Sequence, residues 1–245
     1  MKSKSLSIIL SLLAMFFFNE VLGQDKEPAF QCGVKMTDIR DGKTYITVNI
    51  GTQCWMAENL NVGPKISLVK DQRNNGIIEK YCYDNAEENC KIYGGLYQWN
   101  EMMQYTTTPG IQGICPAGWH LPTDEEWCTL TIYLDTTVNC DSLEISGTTA
   151  GGKMKSTGTI EAATGLWYAP DAGATNESGF NALPGGTRSI YTKFLFKGYH
   201  AYFWSSTEYN ASDAWFSYLK YSNTNVYREH YFKASSYSVR CLKDE

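Results

Sequence analysis

The sequence predicts an α+β protein, with two helices flanking antiparallel sheets, long loop-rich connections and disulfide staples. Three observations predict it. The chain carries eight cysteines, an even number, behind an N-terminal export segment, and cysteines in exported proteins pair. Thr123-Asp-Glu-Glu126 is a capping box ahead of an apolar helical face. From residue 201 onward, aromatic runs alternate with short Ser/Asn-rich turns, the pattern of an antiparallel meander.

The elements follow in chain order. Lys2 and Lys4 precede an apolar run from Ser7 to Phe18, and Val21-Leu-Gly23 offers a cleavage site. This reads as a cleavable signal peptide over 1–23, cut after Gly23. The run is about 12 residues, against the roughly 20 a membrane span needs. Cys32 lies too far downstream for a lipidated anchor, so a lipoprotein is not expected. Residues 24–35 form a polar lead-in, and 36–243 show no composition break or internal repeat, so one domain is expected there. The expected protein is secreted, periplasmic or held at the cell surface, with no transmembrane segment.

Asp41-Gly42 is a turn dipeptide, and the alternation from Tyr45 to Ile50 predicts a hairpin over 38–50. Cys54 to Leu60 continues as extended chain, and residues 61–80 read as a surface loop. Leu96, Trp99 and Met103 stand at helical spacing, which predicts a first helix around 95–105. The capping box, Asp124 and Glu125 at the positive end of the dipole, and the face Trp127, Leu130 and Leu134 predict a second over 124–135. Glycine-rich connections fill 141–200. Strands then follow around Tyr202–Trp204, Ala214–Leu219, Val226–Arg228 and Tyr237–Cys241.

Composition excludes several functions. With 14% aromatic and 19% charged residues the chain is not a disordered one. A net charge of -5 and the lack of a Lys/Arg cluster leave nothing to track phosphates, so nucleic acid is not an expected partner. No Cys-x-x-Cys occurs, and only His120, His200 and His230 could assist, which argues against zinc. No Gly-x-Ser-x-Gly, His-Glu-x-x-His or phosphate-binding glycine loop is present.

The order of the motifs resembles a known family. The blocks are Asp41-Gly-Lys-Thr-Tyr45, Val48 through Leu60, Tyr93-Gly-Gly-Leu-Tyr-Gln-Trp99, and Cys115 through Trp127. Gly179-Phe-Asn-Ala-Leu-Pro-Gly-Gly186, Phe203-Trp-Ser-Ser-Thr207, Ala214-Trp215 and Ser238-Val-Arg-Cys241 complete the set. Together they resemble the Fibrobacter succinogenes major paralogous domain, a family of secreted and envelope proteins from Bacteroidota and Fibrobacterota, over residues 36–243. A narrower likeness, in Gly118-Trp-His-Leu-Pro-Thr-Asp-Glu-Glu-Trp127, is to the formylglycine-generating enzymes. That likeness implies a C-type-lectin-like fold, with two helices, a loop-rich excursion and the termini drawn into one sheet. The major paralogous family implies no common activity.

The candidate residues divide into staples and surface. The expected disulfides are Cys32–Cys54, Cys82–Cys90, Cys115–Cys241 and Cys128–Cys140, with Cys128–Cys241 as the rival suggested by lectin-like folds; eight cysteines allow 105 pairings. Formylglycine-generating enzymes carry reactive cysteines near the C-terminal end, where this chain has only Cys241. His120, without a nucleophile and carboxylate at fixed spacing, reads as a loop support. Lectin-like calcium sites pair a Glu-Pro-Asn or Gln-Pro-Asp loop with Trp-Asn-Asp, and neither occurs here. Glu208, Asn210 and Asp213 could still offer oxygens to calcium, although a solvated loop explains them. No other cofactor is expected. Trp99, Trp119, Trp127, Trp204 and Trp215 read as core. Tyr191, Tyr199, Tyr209, Asn210, Asp213, Tyr221, Asn223, Tyr227 and Arg228 are the candidate ligand-binding residues, because Tyr beside Asn and Arg suits adaptable recognition. The expected function is a non-catalytic module that binds a glycan or a protein at the cell exterior. An enzyme distantly related to formylglycine generation and a purely structural envelope protein are the alternatives.

Overall fold

The computed structural model describes residues 30–245, so the expected signal peptide over 1–23 lies outside the described residues. What is described is mostly sheet with few helices. β1 (Lys35–Thr37) and β2 (Thr44–Ile50) form the first hairpin. Asp38 closes its turn: the Gly42 amide donates to the Asp38 carbonyl at 2.8 Å, and the Asp38 carboxylate accepts from Arg40 Nε at 2.8 Å. β3 (Gln53–Met56) folds straight back on β2.

A 3₁₀ turn (Tyr83–Asn85) and α1 (Glu87–Tyr93) come next, held by the Cys82–Cys90 bond. β4 (Tyr97–Gln98) and α2 (Trp99–Met102) replace the helix expected over 95–105. The reason is tertiary. Tyr97 and Gln98 pair with β12 (Ser236–Tyr237), which takes their backbone out of any helix and leaves a single turn. α1 lies one segment earlier, where Glu87 and Glu88 in the first turn were the available signal.

β5 (Trp119–His120) leads into α3 (Asp124–Leu134), whose start is the capping box. The Glu126 amide donates to Thr123 Oγ1 at 3.2 Å, and the Thr123 amide donates to Glu126 Oε2 at 2.7 Å. β6 (Glu144–Ser146) and α4 (Ala150–Met154) open the long excursion. Lys155 anchors its far side, donating to the carbonyls of Ala172 at 2.9 Å and Asn223 at 3.1 Å beside Asp171. β7 (Thr187–Arg188) and β8 (Phe194–Leu195) form a small hairpin. The long strands β9 (His200–Glu208), β10 (Asp213–Lys220) and β11 (Val226–Phe232) make the expected antiparallel meander, and β13 (Leu242–Lys243) returns to pair with β3 and β5.

Three sheets result, ordered β1-β2-β3-β13-β5, β6-β11-β10-β9 and β4-β12-β7-β8. Leu242 faces Trp55 across the first, so the last strand is laced between the early ones. The meander has an apolar layer on each face. Trp55, Trp127, Trp167, Phe180 and Phe203 fill one cluster, with α3 and α4 over it. Trp99, Trp119, Trp204, Phe216 and Tyr237 belong to the other. Trp215 departs from its expected place in the core: it is only half-buried, and the Arg228 guanidinium lies over its ring at 3.6 Å.

The cysteines form Cys32–Cys54, Cys82–Cys90, Cys115–Cys241 and Cys128–Cys140, and no free thiol remains. Cys241 therefore bonds to Cys115, ahead of the capping box, and not to Cys128. Four disulfides fit an oxidising compartment outside the cytoplasm. Among the described residues, no helix is long and apolar enough to cross a membrane. Arg240, in the Ser-Val-Arg-Cys block, is fully buried and clamps three carbonyls, those of Met56 (2.9 Å), Phe180 (2.7 Å) and Asn181 (3.1 Å). Burial, only partly offset by the Glu58 charge, pushes its guanidinium down to about 9.

Candidate functional site

Strand alternation places the site. On one face of the meander stand His200 and Tyr202 from β9, Phe216, Tyr218 and Lys220 from β10, and Tyr227, Glu229 and Tyr231 from β11. Register puts Tyr218 opposite both Tyr202 and Tyr227, and the three rings stack in a row, with centroids 5.3 Å and 4.6 Å apart. Tyr237 arrives from β12 and stacks on Tyr202 at 5.0 Å.

The β7–β8 hairpin stands over the end of this face and walls one side of an open cavity of about 250 Å³. Its walls are Phe196, Tyr202, Phe216, Tyr218, Tyr231 and Tyr237, and its polar groups are His200, Lys220, Glu229 and the hydroxyls of Thr187, Ser189 and Ser235. Two backbone positions allow the enclosure. Gly186 has φ +66, and a Cβ there would sit 2.4 Å from the Leu195 carbonyl oxygen, so only glycine lets the hairpin close this tightly. Phe196, at the cavity wall, also has φ +66. A bulky residue in that region is strained, and such residues gather at sites of function. The Phe196 ring is held by stacking on His200 at 4.8 Å.

The polar groups are arranged in order along the strands. The Tyr218 hydroxyl donates to Glu229 Oε1 at 2.7 Å. Burial, with that carboxylate beside it, holds the phenol well above its ordinary range, so Tyr218 stays a donor. Lys220 lies over the Tyr227 ring at 4.0 Å and near the Tyr218 ring at 5.4 Å. His200 and the Tyr202 hydroxyl share a hydrogen bond of 2.6 Å. Burial and, next, the Lys220 charge push His200 down to about 4, so it is neutral near pH 7. An apolar, aromatic pocket with a few convergent polar groups is the form that small-ligand sites take.

None of the nine residues singled out from sequence lines this cavity. Tyr191 is 74% exposed in the β7–β8 turn. Tyr199 stacks on Tyr168 at 4.4 Å and meets Tyr221 edge-on at 5.1 Å. Asn223 donates to the Tyr227 hydroxyl at 2.8 Å, and Tyr227 is buried. Tyr209 stacks on His230 at 3.6 Å, and Asp213 bonds the same histidine at 3.2 Å. Asn210 Oδ1 accepts the amides of Ser212 and Asp213 at 2.8 and 2.9 Å, closing its own loop. Arg228 makes a bidentate pair with Asp124, its Nε 2.9 Å from each carboxylate oxygen. These contacts split the nine into separate groups. The physical reason is that aromatics outside strand motifs look free in a sequence, while they cover neighbours in the fold. Phe196, Tyr202 and Tyr231 are aromatics outside the tryptophan core and do line the cavity, and a further signal was charge in phase with aromatics: Lys220 follows Phe216 and Tyr218 at steps of two, and Glu229 lies between Tyr227 and Tyr231.

The oxygens considered for calcium are committed as well. Glu208 pairs with Lys233, Asn210 with two amides and Asp213 with His230. Among the described residues, no group of three His, Cys, Asp or Glu side chains is placed to hold a metal ion.

His120 sits between two carboxylates, with Nε2 3.0 Å from Glu126 and Nδ1 2.8 Å from Asp244. The bond to Glu126 raises its pKa, and Asp244 adds to this against partial burial. It thereby ties the capping box of α3 to the chain just beyond β13.

The motif blocks thus have structural roles: capping box, buried clamp, hairpin glycines and laced last strand. The model of the Fibrobacter succinogenes major domain matches residues 48–243. The chain belongs to this family. The major domain begins within β2 and ends with β13, so it contains the whole cavity and the Cys115–Cys241 bond. No curated protein and no solved structure matches the chain.

Proposed function

We propose that this major domain is an exported, non-catalytic binding module that holds a sugar ring of a cell-exterior glycan in the cavity beside the β7–β8 hairpin. The observation that carries this reading is the aromatic enclosure itself. The aromatic rings form an apolar wall for the C–H side of a sugar, while Glu229, His200, Lys220 and the serine hydroxyls offer polar groups to its edge. The cavity of about 250 Å³ corresponds to roughly eight waters at ~30 Å³ each, the scale of one pyranose ring. Export is supported by the disulfide set and by the signal-peptide pattern of residues 1–23. The helix-and-sheet order and the 118–127 segment support a C-type-lectin-like arrangement. The absence of any free thiol speaks for binding over a thiol-dependent oxidase reaction.

The test is a glycan array with the oxidised mature chain, repeated with Tyr202→Ala. The reading expects a defined set of glycans to be retained by the natural chain and lost by the variant. Retention that survives Tyr202→Ala, in a variant that still folds, would move the site elsewhere.

A further inference from the structure

The cavity holds one carboxylate, and that carboxylate has no cation. Glu229 accepts the Tyr218 hydroxyl through Oε1, and among the described residues no lysine, arginine or histidine pairs with it. The groups nearest it along and across the ladder are aromatic. Phe216 lies directly across the ladder and Tyr231 on the same face of its own strand. Glu229 is only half-buried, so its carboxylate is within reach of a ligand cation.

The cavity's own cation is spent elsewhere. Lys220 faces His200 across the β9–β10 ladder, four residues along β10 from Phe216, the position opposite Glu229. At ~3.3 Å per residue that is about 13 Å of strand. There Lys220 lies over the Tyr227 and Tyr218 rings. It does not neutralise Glu229, and it marks the end that a second cation would avoid.

We infer that the cavity selects a sugar bearing a free amino group, whose ammonium sits against Glu229 within the aromatic wall. This rests on the glycan reading above and names its substrate class. The carboxylate accepts the ammonium hydrogen in a charge-assisted bond, which a neutral hydroxyl in the same place cannot match. A primary ammonium fits better than a quaternary one, since the site supplies hydrogen-bond acceptors as well as rings. Among the described residues Ser189 Oγ, buried in the cavity wall, has no hydrogen-bond partner, a further contact for a ring hydroxyl.

The experiment is calorimetric titration of the oxidised mature chain with three probes: a β-1,4-linked glucosamine tetramer, its N-acetylated counterpart and cellotetraose. The amino tetramer should bind at least about tenfold more tightly than either neutral probe, as a charge-assisted bond would give. Glu229→Gln should remove that preference, and Glu229→Asp should retain part of it. Tyr191→Ala, exposed outside the cavity, should leave all three titrations unchanged. Equal affinity for the three probes overturns the amino-sugar inference and leaves the glycan reading standing. Binding of none of them, on a chain that also retains nothing on the array, overturns both. If Glu229→Gln does not fold, the salt response of the natural chain decides: a preference that persists undiminished at high salt contradicts a charge contact.

Discussion

The Tyr218 hydroxyl donates to Glu229 Oε1 at 2.7 Å, from one strand of the meander to the next. That bond holds the one carboxylate lining the cavity through a single oxygen. Tyr218→Phe keeps the ring in its stack but loses the bond. Affinity for a retained ligand should fall about fivefold, the worth of roughly 1 kcal/mol. Calorimetry on the variant checks it, and unchanged affinity would show that Glu229 needs no orientation.

Arg228 was attractive in the sequence as a free polar contact, but it is bound to Asp124 and covers Trp215. Arg228→Ala should therefore lower stability by about 2 kcal/mol, through a lost charged pair and an uncovered ring, without altering ligand affinity. Urea melts and a parallel titration separate the two effects. A loss of affinity with no loss of stability would return Arg228 to the binding surface.

The two histidines should bend stability in opposite directions. His200 is lowered to about 4 by burial and the Lys220 charge, so between about pH 4 and its ordinary value near 6.5 only the unfolded chain takes up the proton. Stability should fall as pH drops through that window, and His200→Gln should flatten the fall. His120 is raised by Glu126 and Asp244, so its contribution is complete below the unfolded value and is lost as pH rises through the higher folded one. His120→Gln should remove that loss above pH 6.5. Urea melts at half-unit pH steps read both slopes, and a flat profile for the natural chain would contradict them.

Among the disulfides, Cys115–Cys241 closes the longest loop, with a separation of 126 residues against 8 for Cys82–Cys90. On the loop-entropy model its removal should cost about 4–5 kcal/mol, and removal of the short one less. Melting temperatures of the paired Cys→Ser variants give the ranking, and the reverse order would show that native-state strain dominates.

How much of this was legible in the sequence depended on whether the signal was local. The capping box at Thr123 and Glu126 was, because its two hydrogen bonds join residues three apart. So were the hairpin at Asp41-Gly42 and the meander, whose turns separate runs of strand-forming residues. The helix expected over 95–105 was lost to a partner more than a hundred residues away, when Ser236 and Tyr237 claimed the backbone of Gln98 and Tyr97. The cavity was hidden for a related reason. Phe196, Tyr202 and Tyr231 stand out in the sequence as aromatics outside the tryptophan core, but the space between them exists only where the β7–β8 hairpin, held by Gly186, stands off from the sheet.

The central claim is that ligand enters the aromatic cavity and not the Tyr209 cluster. Hydrogen–deuterium exchange with and without a glycan retained on the array tests it most directly. The account predicts slowed exchange in 187–202, 216–220 and 229–237, the segments that line the cavity. Protection confined to 207–213, with those segments unchanged, would contradict it.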